Sequence, residues 1–148
     1  MRYFVIRSFL ADLDALTKKS KYGYDSLKAD ICEEFDRDET SEDIVMKSNA
    51  VLRVVEHENT QFIIKTRIKN TAMKTGKSGG FRLISVVIQH GESTTFLTVY
   101  PKKGKFAMDN ISDELVQDLF ETYIEALEND ALIEVDIDNE LAIINDDE

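Results

Sequence analysis

Apolar and polar positions alternate through the middle of the chain and recur at helical spacing on either side of it. Residues 3–7, Tyr-Phe-Val-Ile-Arg, read as a short strand. Ser8 is a candidate N-cap for a helix that aligns Phe9, Leu13 and Leu16, with Lys18 and Lys19 in its last turn. Gly23 breaks that pattern, and Asp25 is placed to cap a second helix carrying Leu27, Ile31, Glu34 and Phe35. The polar stretch 36–48 reads as a loop. Four strands follow, over 50–56, 61–69, 81–89 and 94–100, with Pro101 ending the last. The third is apolar on both faces, as a central strand would be. Ser112 opens a third helix with Leu115, Leu119, Tyr123, Ile124 and Leu127 on one face. Residues 131–145 alternate in part, as a hairpin around Asp138 and Asn139 or as an appendage folded back on the sheet. The pattern predicts an α+β fold: a mostly antiparallel sheet with N-terminal helices and a closing C-terminal helix, the helices on one side.

Composition narrows the class. A chain of 148 residues with 43% apolar content suits one domain with a real core. No apolar run approaches a membrane span, and Arg7 and Asp12 interrupt the segment where a signal peptide needs an apolar run, so the expectation is a soluble cytoplasmic protein with no membrane partner. A single cysteine, Cys32, leaves no internal disulfide and no cysteine-cluster zinc site, and two histidines make no metal centre. No metal or cofactor is expected.

Charge changes the picture once it is divided along the chain. The total is −11. Residues 61–105 hold 9 basic residues and 1 acidic residue, a local charge of +8, whereas residues 106–148 hold 15 acids and no base. Phosphate contacts are local and screened beyond a Debye length, so the middle segment matters more to a polyanion than the total does. The plain alternative is a solvated basic face.

Within that segment, strand alternation places Lys65, Arg67 and Lys69 on one face and Phe62, Ile64, Thr66 and Ile68 on the other. Neighbouring cations in such a row stand about 7 Å apart, close to the phosphate spacing of one nucleic-acid strand. Lys74 and Lys77 follow in a Gly-rich loop. Its Gly76-Lys77-Ser78 is not a nucleotide-binding P-loop, because Thr71 stands where that motif needs glycine and a strand follows rather than a helix. Gly79 and Gly80 suit a close backbone approach, to a ligand or at the sharp entry into the sheet. Arg82 opens the central strand, where a cation needs a partner or a ligand; a salt bridge to Glu56 or to a C-terminal acid is the structural alternative. Tyr100 ends the next strand, and Lys102 lies just beyond it. Lysine, arginine and tyrosine together suit metal-free RNA cleavage, in which a base takes the 2′-hydroxyl proton as that oxygen attacks, cations stabilise the charge on phosphorus, and an acid protonates the leaving oxygen.

Residues 65–102 resemble the RelE/ParE superfamily of bacterial toxins, especially its HigB-like branch. The resemblance rests on Lys65-Thr-Arg-Ile-Lys69, Gly76-Lys-Ser-Gly-Gly-Phe-Arg-Leu-Ile84 and Phe96-Leu-Thr-Val-Tyr-Pro-Lys102, with Asn110-Ile-Ser-Asp-Glu-Leu115 similar to the family's closing helix. It implies a microbial-ribonuclease-like toxin domain over 1–127, followed by an acidic extension over 128–148. It further implies the toxin of a type II toxin–antitoxin pair, an endoribonuclease cutting mRNA, often on the ribosome, with an antitoxin protein as partner. The family's functional positions would fall on Arg82, Tyr100 and Lys102 for catalysis and on Lys65, Arg67, Lys69, Lys74 and Lys77 for RNA binding. Ser85 stands where many members carry an aromatic residue. The other implied class is therefore a catalytically inactive module of the same fold that binds a protein. The 9 acids of residues 128–148 suggest a tail that folds over the +8 surface and masks it.

Overall fold

The computed structural model describes residues 1–18, 23–56, 59–74, 76, 79–102 and 111–144. The chain runs β1 (Arg2–Val5), α1 (Arg7–Thr17), α2 (Leu27–Glu34), α3 (Ser41–Met46), β2 (Asn49–Glu56), β3 (Asn59–Ile68), β4 (Phe81–Ile88), β5 (Ser93–Pro101), α4 (Asp113–Glu128), β6 (Ile133–Asp136) and β7 (Ala142–Ile143). It is an α+β structure, as the pattern of the sequence predicts.

Helix starts depart from the sequence in informative ways. α1 begins two residues early, with Ile6 at the N-cap and no side-chain cap, so Ser8 lies inside the first turn. Asp25 does not cap α2; Ser26 holds the N-cap position, and its hydroxyl donates to Asp30 and accepts from no N–H of the helix. The stretch expected to be a loop contains α3. Thr40 Oγ1 accepts from Asp43 N at 3.1 Å, and the Asp43 carboxylate accepts from Thr40 N at 3.1 Å. This is a capping box, and Thr-x-x-Asp is its sequence signal. Ser112 caps α4 as expected, accepting from Leu115 N at 3.1 Å.

The strands form one seven-stranded sheet in the order β2-β3-β4-β5-β1-β6-β7. β2 to β5 make an antiparallel meander, β1 lies parallel to β5, and β6 and β7 continue antiparallel beyond β1. On one face Phe96 of β5 is the hub of the core. Its ring centroid lies 5.2 Å from Phe35, 5.7 Å from Tyr3 and 5.7 Å from Phe9. Offset aromatic pairs of this kind add to the burial of their large rings. α1 and α4 both pack on β5. Seven of the eight residues of β4 are buried, so both faces of this strand are covered, as its apolar sequence predicts.

Between Phe96 and Thr98 the β4–β5 register shifts by one residue: Ser85 faces Phe96, and Ile84 faces Thr98. Leu97 is the extra residue of a β-bulge. Directly opposed residues share a face, so the bulge turns Tyr100 to the face opposite Phe96, although strict alternation would put them together.

The C-terminal segment is part of this sheet. Its acids pair with the N-terminal region: Arg2 with Glu134 at 2.7 Å, and Arg37 with Asp136 at 3.0 Å and Asp138 at 2.5 Å. The hairpin around Asp138 and Asn139 forms, and residues 133–143 extend the edge beyond β1. Among the described residues this tail does not cover the basic middle segment, because β5 and β1 stand between it and β4.

Two expected outcomes follow from these contacts. At Gly80 an added Cβ would lie 2.0 Å from Ile68 O, 2.9 Å from Lys69 C and 3.0 Å from Asn70 N, all backbone atoms that cannot swing aside. Gly80→Ala should therefore lower stability by about 2–4 kcal/mol in urea unfolding. A loss below about 0.5 kcal/mol would mean that the β3–β4 end yields freely. The second concerns the tail. Its hydrogen bond to Arg2 lowers the Glu134 pKa; Asp136 is lowered first by the Asp138 N–H and then by Arg37. A depressed carboxylate contributes its stability above the ordinary carboxylate range and loses it as pH falls through the depressed value. Amides of β6 should therefore lose protection on acidification below about pH 4, ahead of those in β4. Equal protection factors for β6 at pH 3 and pH 6 would contradict this.

Candidate nucleic-acid interface

Arg67, Arg82 and Tyr100 are direct ladder partners on β3, β4 and β5. Directly paired residues have Cα atoms about 4.5–5.5 Å apart, so the three form a band across the sheet on the face opposite Phe96. Lys65 lies two residues further along β3 on the same face, opposite Ile84. Lys102 N donates to Gly80 O at 2.9 Å, which carries the β4–β5 ladder one step past Pro101 and keeps Lys102 beside the band. The sequence-derived row along β3 thus becomes a row across strands, joined by the bulge at Leu97.

Exposure is graded along the band. Arg67 is exposed, Lys65 and Lys102 are half-buried, and Arg82 and Tyr100 are 6% and 4% exposed. Burial lowers the Arg82 pKa from its usual value, and the facing Arg67 charge lowers it further; Tyr100 acts the other way. Burial raises the Tyr100 pKa, partly offset by Arg82. The phenol is therefore a protonated donor at neutral pH. Arg82 Nη1 also donates to Phe81 O at 3.2 Å. Among the described C-terminal acids, Glu134, Asp136 and Asp138 are engaged by Arg2 and Arg37, and the backbone of Glu56 pairs with that of Asn59 at the far end of the β2–β3 hairpin.

Two other sequence-derived cations are placed differently. β3 ends at Ile68, and Lys69 turns to α2, pairing with Glu33 at 2.7 Å. Lys69 therefore leaves the row of Lys65 and Arg67. Lys74 is exposed in the following turn, with φ of 54°. Lys77 lies outside the described residues. Gly80 serves the close approach of β4 to β3. Ser85 is fully buried on the Phe96 face, and its hydroxyl has no hydrogen-bond partner.

Other chemistry is poorly served. Burial pushes the Cys32 thiol up to about 11, far from a reactive thiolate. Among the described residues no group of three or more His, Cys, Asp and Glu side chains is arranged to hold a metal ion, and no helix is long and apolar enough to cross a membrane. The residues missed by sequence reasoning are Ser26, Asp30 and Asn70, which fasten the start of the basic loop to α2. Their only signal is spatial, since Asp30 and Thr71 are 41 residues apart.

Compared with protein-family models, curated proteins and solved structures, the chain matches none.

The facing arginines generate a prediction. Like charges directly opposed on a sheet destabilise it by a few tenths of a kcal/mol up to about 1 kcal/mol. Arg67→Gln should therefore raise the melting temperature at low salt, with the gain shrinking at 1 M salt. A lower melting temperature at low salt would show that Arg67 is held by attraction rather than opposed by Arg82.

Proposed function

We propose that this chain is the toxin of a type II toxin–antitoxin pair, a RelE/ParE-like, metal-independent endoribonuclease that cuts mRNA, on the ribosome, and is neutralised by an antitoxin protein. The observation that carries the reading is the Arg67–Arg82–Tyr100 band on three neighbouring strands. Two facing guanidiniums repel each other, and a phosphate between them would relieve that repulsion through charge-assisted hydrogen bonds. As the 2′-oxygen bonds to phosphorus and loses its proton to water, the bond from phosphorus to the 5′-oxygen breaks; Arg82 would stabilise the charge that develops on phosphorus, and Tyr100, whose proton is held by burial, would donate to that leaving oxygen. Lys102 would bind beside them, with Lys65 and Arg67 following the RNA backbone. The order of strand, helices, antiparallel meander and closing helix also agrees with this reading.

A second reading has its own support. Arg82 and Tyr100 are almost fully covered, so substrate reaches them only if their cover moves. That burial favours an inactive module of the same fold whose surface binds a protein.

Cleavage of mRNA in a reconstituted translation reaction separates the two. Wild type should give site-specific cuts, Arg82→Ala should abolish them, and Arg67→Ala should reduce RNA affinity about tenfold while lowering the salt slope by about 1. Absence of cleavage and RNA binding by folded wild type would leave the protein-binding reading.

A further inference from the structure

At the start of the loop between β3 and β4, four consecutive backbone N–H groups are hydrogen-bonded although all four residues are exposed. Thr71 N donates to Asp30 Oδ2 at 2.9 Å, Ala72 N to Ser26 Oγ at 2.9 Å, Met73 N to Asn70 Oδ1 at 3.3 Å, and Lys74 N to Thr71 O at 3.0 Å. Three of these acceptors are side chains. Behind them, Asp30 is 3% exposed, and its carboxylate also accepts from Ser26 Oγ at 2.7 Å and from the Thr71 hydroxyl. Asn70 Nδ2 donates to Gly23 O at 2.9 Å. Met73 lies so close to Gly23 that a Cβ there would fall 2.2 Å from its sulfur.

Water satisfies an exposed N–H at little cost, whereas burying a carboxylate to do so is expensive. The turn also holds Lys74 at a left-handed φ of 54°, which a non-glycine residue adopts only under constraint. An exposed loop fastened this firmly has lost its conformational freedom before any ligand arrives. Such pre-organisation removes part of the ordering cost of binding. The loop joins β3 to β4 at the end of the sheet that carries Arg67, Arg82 and Lys102.

We infer that Asp30 is a positioning residue for the RNA surface: through Thr71 and Ser26 it fixes the 71–74 turn, and with it Lys74, as a preformed contact for the backbone of single-stranded RNA. The inference rests on the RNA reading above. Asp30 itself touches no phosphate and acts through the loop.

The test uses the full chain and a 2′-O-methylated single-stranded RNA, which binds without being cut. Hydrogen exchange at residues 71–74 and RNA affinity across a salt series are measured for wild type, Asp30→Asn and Lys74→Ala. Wild-type amides should exchange slowly although their residues are exposed. Asp30→Asn should speed their exchange and weaken RNA binding about fivefold to tenfold, with the wild-type salt slope, because no phosphate contact is removed. Lys74→Ala should weaken binding and lower the slope by about 1. Should Asp30→Asn fail to fold, Thr71→Val, which deletes only the hydroxyl on Asp30, is judged by the same criteria. Faster exchange with unchanged RNA affinity would make Asp30 merely structural and overturn the inference, as would unchanged exchange. If folded wild type binds no RNA, the RNA reading falls and takes this inference with it, an outcome distinct from normal wild-type binding that ignores Asp30→Asn.

Discussion

The single extra residue at Leu97 determines what the rest of this sheet presents. β5 must place Phe96 among Tyr3, Phe9 and Phe35 on one face, because that cluster seats α1 and the end of α2. It must also bring Tyr100 beside Arg82 on the other face. Positions 96 and 100 share a parity, so a regular strand cannot do both. The bulge absorbs one residue and flips the remainder of the strand. The aromatic hub and the cationic band are thus two consequences of one irregularity.

The band pays for its position in electrostatics, and that expense points outward. Arg82 lies in a strand covered on both sides, with the charge of Arg67 across the ladder. Arg67 lowers its pKa beyond the effect of burial, and Tyr100 acts the other way. Exposure rises from Tyr100 through Arg82 to Arg67. An approaching polyanion would therefore meet Arg67 first, and neutralising it would also ease the strain on Arg82.

Much of this was legible in the sequence, for identifiable reasons. Two-residue alternation located β2 to β5, and the apolar run at 81–88 announced a strand buried on both faces. The Lys65 and Arg67 positions followed from the same alternation. α3 had a local signal in Thr40 and Asp43, hidden by the polarity of the residues around it. Three features depended on distant partners. Lys69 leaves its row because Glu33 of α2 lies within reach where β3 ends. The bulge has no composition signature, since Leu97 resembles its neighbours. The clamp of Asp30 on Thr71 joins residues far apart in the chain, and only the folded packing of α2 on β3 brings them together.

The acidic tail shows why net charge misleads for this chain. Glu134 and Asp136 are on or beside β6, four strand positions from β3. At about 4.8 Å per strand the separation from Arg67 is about 19 Å. The Debye length at physiological ionic strength is only about 8 Å, so exposed charges that far apart barely affect each other. Those acids are in any case matched locally by Arg2 and Arg37. A total of −11 therefore coexists with a cluster of basic side chains on β3 and β4 that these two acids do not reach. The described part of the tail keeps its charge at the opposite edge of the sheet, beyond β1.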